Sequence, residues 1–288
     1  MKYAIITNPV SGNLNVDQKR SRLAGAAKIL NAEIHGLDTG SVDEFFQCAR
    51  ELAPRCDVLV AAGGDGTLSD VIHAVDTRRT PVAFLPLGTG NAMGYALNYR
   101  GNLTRIARRI RDSRIREYDL IDCDGKARAF MASVGIEGAI LQCKGKYTAR
   151  RFTGFAAYFM AVFHAYFKQY KRFFVKGVVD GSEVEVRNLL SLMVVKQPYY
   201  GFGMKVVPEA RLDDGRLHLL FVNSGFFESV FGGITAFTVG NRIGHYRTGR
   251  QLDIKLGHPA TLQFNGNVGW AADAFTFTVL PGALKIKC

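Results

Sequence analysis

Cysteine, acidic side chains and long apolar runs are all scarce in this sequence of 288 residues. Its five cysteines include no Cys-x-x-Cys pair. We therefore expect reduced thiols, as in a cytosolic protein, and not a disulfide framework. No apolar run reaches about 20 residues, so no membrane-spanning helix is predicted. The apolar run at the amino terminus is too short for a signal peptide.

The shortage of acidic residues leaves the chain strongly basic, with 25 Asp and Glu against 37 Lys and Arg and a net charge of +12. A charge of this sign favours phosphates, nucleic acid or anionic lipid surfaces as partners, without choosing among them. Apolar residues make up 48% of the chain, which is enough for a sizeable core and excludes general disorder.

A glycine-rich stretch, Gly63-Gly-Asp-Gly-Thr-Leu-Ser69, joins an apolar strand pattern at residues 56–62 to a helical pattern that follows. Glycine suits this place because the backbone must bend sharply and lie close to a ligand. The first N–H groups of a helix lack partners within the helix and suit a phosphate. The alternative interpretation is a tight structural turn that binds nothing.

Two other polar turns strengthen the ligand-binding interpretation. The stretch Pro86-Leu-Gly-Thr-Gly-Asn91 also follows an apolar strand and opens a helix, and Asn8-Pro-Val-Ser-Gly12 follows the first strand. Because neighbouring parallel strands end at the same edge of a sheet, the two glycine turns are expected to lie side by side.

The pattern of elements changes along the chain. Strands and helices alternate to about residue 112, which predicts an α/β domain with a Rossmann-like parallel sheet. Strands then follow one another and predict an antiparallel β-sandwich domain. We place the domains at 1–118 and 119–288. Whether the last strand returns to pair with the sheet of the first domain stays open.

Shorter signals predict individual turns and helices. Ser41 and Glu44 form a capping box for a helix at 42–53. Asp124-Gly125 and Asp180-Gly181 predict hairpin turns. One helix, at 226–239, is predicted to interrupt the strands of the second domain.

Residues 150–176 carry aromatic side chains at three- and four-residue spacing, with cations at both ends. The spacing predicts a helix. Two interpretations stay open: a core helix lying on the β-sheet, or a helix whose aromatic face borders a lipid site while the cations meet anionic headgroups.

The motifs Asn-Pro-Val-Ser-Gly, Gly-Gly-Asp-Gly-Thr and Pro-Leu-Gly-Thr-Gly-Asn, in this order and each after a strand, resemble the diacylglycerol kinase catalytic-domain family. This family includes bacterial lipid kinases and the sphingosine and ceramide kinases, and it is distantly similar to the NAD kinases. The resemblance covers essentially the whole chain and implies an α/β nucleotide-binding domain followed by a β-sandwich.

The resemblance also implies a set of nucleotide-binding positions in the three turns and near them. These are Asn8, Pro9, Val10, Ser11, Gly12, Thr39, Gly63, Gly64, Asp65, Gly66, Thr67, Leu68, Ser69, Thr89 and Asn91. Their backbone N–H groups and small hydroxyls suit close approach to phosphate oxygens.

A magnesium loop is implied in Arg211-Leu-Asp-Asp-Gly-Arg216. The Asp214 carboxylate and the Arg211 and Arg216 carbonyls would be ligands, because magnesium prefers oxygen. The alternative is an Asp-Gly turn without metal. The expected cofactors are ATP and Mg²⁺.

The chain departs from the family near its carboxyl end, where Asp-Gly-Glu or a similar sequence usually supplies carboxylates to the reaction centre. Here the positions are Asn265 and Asn267, and an amide cannot accept a proton at neutral pH. The remaining carboxylate in the motifs is Asp65, which sphingosine-kinase-like members are thought to use as the base. Its alternative role is to cap the helix that follows it.

The leading hypothesis is therefore an ATP-dependent lipid kinase acting on a hydroxyl of a diacylglycerol-, sphingoid- or ceramide-like lipid. The alternatives are a catalytically weak or inactive kinase-like protein that binds nucleotide or lipid, an NAD kinase, and a nucleic-acid binder supported by charge alone. The expected partners are a lipid substrate and an anionic membrane surface, with no nucleic acid, and a homodimer stays open. The expected location is cytoplasmic with peripheral membrane association.

Overall fold

The computed structural model describes residues 1–137 and 172–288, and the contacts divide the chain into two compact units. Unit 1 contains Met1–Leu120, Tyr199–Gly203 and Pro281–Cys288. Unit 2 contains Ile121–Pro198 and Met204–Leu280. The predicted aromatic helix lies outside the described residues up to position 171, and a strand begins at Phe173.

Unit 1 alternates strands and helices. In chain order its elements are β1 (Tyr3–Ile6), α1 (Val16–Leu30), β2 (Glu33–His35), α2 (Val42–Leu52), β3 (Val58–Gly63), α3 (Asp65–Ala74), β4 (Val82–Pro86), α4 (Ala92–Ala96) and α5 (Leu103–Asp112). These strands are parallel and lie in the order β4-β3-β1-β2. The predicted parallel α/β layer is therefore confirmed.

Strand β3 is buried along its whole length because helices cover both faces of the sheet. On one face, Val58 and Val60 pack in a core with Leu23 of α1 and Ile106 of α5. Helices α2 and α3 contact each other, and α3 contacts β3. Since side chains alternate along a strand, Leu59 belongs to the opposite face.

Local capping sets the starts of the helices. Ser41 Oγ accepts from the Glu44 amide at 3.2 Å, as predicted, and α2 ends at Leu52. The Glu44 carboxylate reaches back to the Gly40 amide at 2.7 Å, one residue before the position that a capping box requires. Helix α1 carries the full reciprocal box, between Asn15 and Gln18.

The remaining elements are mostly strands. They are β5 (Ile115–Cys123), β6 (Ala127–Ala129), β7 (Met131–Gly135), β8 (Phe173–Val179), β9 (Ser182–Leu189), β10 (Ser191–Val195), β11 (Leu217–Val222), α6 (Phe226–Ala236), β12 (His245–Gly249), β13 (Gln251–Phe264) and β14 (Asn267–Lys287). Within unit 2, strands β12-β11-β10-β7-β13-β14 pair antiparallel in that order, and β8 joins β9 to β13. The predicted antiparallel second domain is confirmed, and the end of β14 pairs with β4 in unit 1.

Both predicted hairpin turns are present. Asp124-Gly125 joins β5 to β6 and Asp180-Gly181 joins β8 to β9, with positive φ at both residues of each turn. Such turns favour Asp-Gly because glycine and aspartate tolerate this conformation. Helix α6 ends at Ala236, three residues before the predicted end, because the Gly240 amide folds back onto the Thr235 carbonyl at 2.8 Å.

Candidate functional site

The carboxyl ends of β1, β2, β3 and β4 lie at one edge of the parallel sheet of unit 1, and each strand is followed there by a turn. The chain passes from β1 outward to β2 and then returns to the other side of β1 with β3. The strand order thus reverses between β1 and β3, which is where open α/β sheets bind ligands. The turns at 8–12 and 63–69 flank this crevice.

The two glycine turns are in direct contact, as the sequence predicts. The Gly63 carbonyl accepts from the Leu87 amide at 2.7 Å and from the Gly88 amide at 3.3 Å. A Cβ atom on Gly88 would lie 2.7 Å from the Gly64 Cα atom, so no side chain fits there. A Cβ atom on Gly64 would meet nothing nearer than 3.7 Å. A methyl group would therefore fit at Gly64, in ordinary contact with Gly88.

Asp65 ties the first glycine turn to the second. Its Oδ2 accepts from the Ala92 amide at 2.8 Å and its Oδ1 from the Met93 amide at 3.0 Å. Burial raises the pKa of Asp65, although these hydrogen bonds act in the opposite direction. Asp65 therefore caps α4. The sequence analysis had offered α3, the helix that directly follows the glycine turn, as the helix for it to cap, but α3 begins at Asp65 with no side-chain cap among the described residues. Its role as a base stays a prediction.

The first turn is built around the backbone of Asn8 and Pro9. Asn8 Oδ1 accepts from the Val10 amide at 3.0 Å, and its carbonyl accepts from Ser11 Oγ at 2.9 Å. Lys19 Nζ donates to the Asn8 and Pro9 carbonyls, each at 2.7 Å. Burial lowers the pKa of Lys19. Sequence reasoning missed this lysine because nothing in its local pattern distinguishes it from surface lysines of the same helix.

Asp70 is a second residue that the sequence analysis did not select. A side-chain hydrogen bond connects it to Asn8, and burial raises its pKa to about 6. Three other side-chain atoms at this edge are buried without a hydrogen-bond partner in the part of the chain that the structure describes: Thr7 Oγ1, Thr67 Oγ1 and Asn91 Oδ1. Unpaired buried polar atoms are costly and often mark a functional site. The Thr7 and Thr67 hydroxyls can donate to a phosphate oxygen, whereas the Asn91 amide oxygen can only accept.

The other nucleotide-site candidates divide by exposure. Thr89 and Val10 are exposed, whereas Leu68 and Ser69 are fully buried within α3, and the Leu68 amide donates to the Gly64 carbonyl at 3.2 Å. Thr39 follows β2 and donates its hydroxyl to the Gly36 carbonyl at 2.8 Å. The structure thus gathers every candidate turn at one edge of unit 1, and the roles of the individual residues stay predictions.

A segment distant in sequence covers the second glycine turn. Tyr199–Gly203 belongs to unit 1, and its Phe202 amide donates to the Gly90 carbonyl at 3.0 Å. The rings of Tyr95 and Tyr199 lie 5.8 Å apart. No sequence signal placed this segment in the first unit.

Asn265 and Asn267 lie in unit 2, at the hairpin turn between β13 and β14. Asn265 is fully buried, and its Oδ1 accepts from the Phe130 and Met131 amides at 2.9 and 3.2 Å. Its side chain therefore holds the start of β7. Asn267 is the first residue of β14 and is partly exposed. A catalytic role for either amide stays a prediction.

The predicted magnesium loop holds an internal cation. Lys196 Nζ lies 2.7 Å from Asp214 Oδ1 and 2.5 Å from the Arg216 carbonyl. Burial acts to raise the pKa of Asp214, but the hydrogen bond and charge of Lys196 outweigh burial and lower it. His218 Nε2 lies 3.0 Å from Asp214 Oδ2 and 3.1 Å from the Arg211 amide nitrogen. Two of the three expected ligand groups thus contact an ammonium group.

Unit 2 also contains an apolar cavity of about 150 Å³ with a buried carboxyl group. Its walls come from β10, β11, α6 and neighbouring connecting segments, and they include Leu190, Met204 and Leu220. Glu137 borders it and is 5% exposed. Ser191 Oγ donates to Glu137 Oε1 at 2.6 Å, whereas Oε2 has no hydrogen-bond partner among residues 1–137 and 172–288. Burial raises the pKa of Glu137 to about 7.

Comparison with family models defines the class of protein. Residues 2–123 match the diacylglycerol kinase catalytic domain, and residues 131–288 match the YegS C-terminal NAD kinase beta sandwich-like domain. The fold is thus an α/β kinase domain followed by a β-sandwich-like domain. The chain belongs to the diacylglycerol kinase family, a family of lipid kinases.

Individual relatives agree with this assignment. Proteins named diacylglycerol kinase from Staphylococcus epidermidis and Staphylococcus saprophyticus are each 25% identical to this chain, over 92% of it and over 85% and 88% of their own lengths. A crystal structure of a diacylglycerol kinase from Bacillus anthracis shares the fold, with a TM-score of 0.72 at 18% identity over 99% of this chain and 96% of that one.

An NAD kinase from Archaeoglobus fulgidus, solved in complex with ATP, has a more distant fold. Its TM-score is 0.54 at 14% identity, over 99% of this chain and 93% of that one. Within residues 1–137 and 172–288, no helix is both long and apolar enough to cross a membrane.

Proposed function

We propose that this protein is an ATP-dependent lipid kinase that phosphorylates a hydroxyl of a diacylglycerol-, sphingoid- or ceramide-like lipid. The observation that carries the proposal is that the three motif turns lie at one edge of the parallel sheet, at its switch point. Backbone N–H groups at such an edge suit phosphate oxygens, and phosphoryl transfer depends mainly on positioning and charge stabilisation.

The residues at this edge take distinct roles in the proposal. The turns at 8–12 and 63–69 bind the phosphates through backbone N–H groups. Asp65 keeps the two glycine turns together and is the candidate acceptor of the hydroxyl proton. Magnesium bound with the nucleotide would neutralise phosphate charge. Asp70 is the carboxylate that would hold it, because it lies against the first turn through Asn8.

The apolar cavity in unit 2 supports a lipid as the acceptor. Its walls suit part of an acyl chain, and Glu137 supplies a polar group that is protonated for part of the neutral range. A protonated carboxyl group can both donate to and accept from a hydroxyl group. We therefore propose that Glu137 contacts a neutral polar group of the lipid.

An exposed apolar face on α6 supports contact with a membrane surface. Phe227, Phe231 and Ile234 are 85, 56 and 61% exposed. Arg242 is also exposed and lies between two residues that pack against Gly232 of α6. An apolar face beside cations suits the interface of an anionic membrane.

A second candidate function is a kinase-like protein that binds nucleotide or lipid without transferring phosphate. It is favoured by the two amides, because Asn265 is buried and its side chain holds backbone groups of unit 2. An NAD kinase is a weaker candidate, since its structural relative is the more distant one.

The test is transfer of labelled phosphate from ATP in mixed micelles that contain diacylglycerol, ceramide or sphingosine, with NAD as a soluble acceptor. Labelled phospholipid supports the lipid kinase. Labelled NADP overturns it in favour of an NAD kinase. ATP binding without transfer to any acceptor supports the second candidate. Gly88→Ala, which forces the two glycine turns apart, is the control that should abolish transfer and ATP binding together.

A further inference from the structure

Lys196 occupies the centre of the loop that the family resemblance assigns to magnesium. It follows β10 directly, and its side chain is completely buried. Its ammonium group contacts the Asp214 carboxylate and the Arg216 carbonyl. These are two of the three ligand groups expected for the metal, so a cation supplied by the chain already neutralises the loop.

The remaining contacts complete this arrangement without a metal. Asp214 Oδ1 also accepts from the Arg216 amide at 3.2 Å, and its Oδ2 faces His218 Nε2. His218 Nδ1 in turn lies 2.7 Å from the Tyr246 hydroxyl. Oδ1 of the carboxylate is therefore engaged by two groups of unit 2, whereas Oδ2 faces a ring nitrogen that accepts from the Arg211 amide at 3.1 Å.

A magnesium ion fits this loop poorly. It requires near-octahedral oxygen ligands at about 2.0–2.1 Å. An ion at that distance from Asp214 Oδ1 or from the Arg216 carbonyl oxygen would lie within about 5 Å of the Lys196 nitrogen and would be repelled by it.

We propose that Lys196 replaces the divalent cation and makes the loop at 211–216 independent of metal. An ammonium group offers three donors and binds carboxylate and carbonyl oxygens as a compact charge. Because it is part of the chain, its occupancy does not vary with the concentration of free magnesium. This inference concerns the loop alone and does not depend on whether the protein transfers phosphate.

The test compares thermal unfolding and metal binding in the parent and in Lys196→Met, without nucleotide. After treatment with EDTA, millimolar magnesium chloride should leave the midpoint of the parent unchanged. Lys196→Met should unfold about 5–10 °C lower, because the buried partner of a partly buried ion pair is lost. Magnesium should then restore part of that loss. Binding of Mn²⁺, followed by electron paramagnetic resonance, should be at least about tenfold tighter in Lys196→Met than in the parent.

Lys176→Met is the matched control, because Lys176 pairs with Glu185 on the surface of the same unit at 3.3 Å. This variant should match the parent in both measurements. The proposal is overturned if the parent binds Mn²⁺ tightly and Asp214→Asn removes that binding, or if Lys196→Met unfolds like the parent. The first outcome is measurable even if Lys196→Met does not fold.

Discussion

Glu137 provides a prediction whose magnitude follows from its burial. The residue is 5% exposed and borders an apolar cavity, and one of its carboxyl oxygens has no hydrogen-bond partner among the described residues. Burial raises its pKa from 4.5 to about 7. The folded protein therefore holds this proton more tightly than the unfolded chain does. The corresponding stability is fully present below about pH 4.5 and is lost as the pH rises to about 7.

The predicted size of the effect follows from that difference in pKa. One pKa unit corresponds to about 1.4 kcal/mol, so the contribution of Glu137 to the free energy of unfolding falls by about 3 kcal/mol between these pH values. Glu137→Gln resembles the protonated carboxyl group in shape and charge, and it keeps an oxygen to accept from Ser191. The variant should therefore gain about 3 kcal/mol relative to the parent between pH 4.5 and pH 8.

Urea unfolding at a series of pH values, followed by tryptophan fluorescence, measures this difference. Trp270 is the single tryptophan of the chain and lies in unit 2 with Glu137, so it reports on the correct unit. Glu185→Gln is the control, because Glu185 lies on an exposed strand of the same unit and should follow the parent at every pH. A constant difference between Glu137→Gln and the parent at all pH values would refute the reasoning.

Three other predictions concern the nucleotide site and the membrane surface. Gly64→Ala should fold like the parent, because its Cβ atom has room, and it should bind ATP more weakly if phosphate approaches there. Gly88→Ala, in contrast, should lose about 1–3 kcal/mol of folding stability in urea unfolding. Asp65→Asn should abolish phosphate transfer while ATP binding by the folded protein persists. Calorimetry should show that its folding stability falls by about 1–3 kcal/mol, since an amide NH₂ would face a backbone N–H group. Full activity in this variant would exclude Asp65 as the base. The fraction of protein that sediments with anionic vesicles should fall as the salt concentration rises, and it should also fall in the double variant Phe231→Ser, Ile234→Ser. Equal binding to neutral vesicles would contradict the role of charge.

The roles assigned to acidic and amide side chains show where sequence reasoning was incomplete. The sequence located Asp65 in a glycine turn and offered the adjacent helix as its alternative partner. The structure pairs it with Ala92 and Met93, which lie beyond the next strand. A local pattern could not specify this pairing, because it depends on β3 and β4 lying side by side.

Elements that depend on a few neighbouring residues could be read from the sequence. The cap at Ser41, the Asp-Gly hairpin turns and the alternation of strands with helices involve contacts within about four residues or periodic burial. The order of parallel strands then brought the motif turns to one edge, as expected. For these features the local backbone preference and the final packing agree.

Other features of the molecule were decided only by the tertiary structure. Lys19 holds the first turn, Lys196 neutralises the loop at Asp214, and Glu137 lies beside an apolar cavity, although none of them is distinctive in sequence. The charge state and partners of a side chain depend on how many groups from other elements surround it and how much water they exclude. Those neighbours come together only when the strands within each unit form their sheet. The sequence therefore determines the motifs, whereas packing decides which charges are buried and which groups neutralise them.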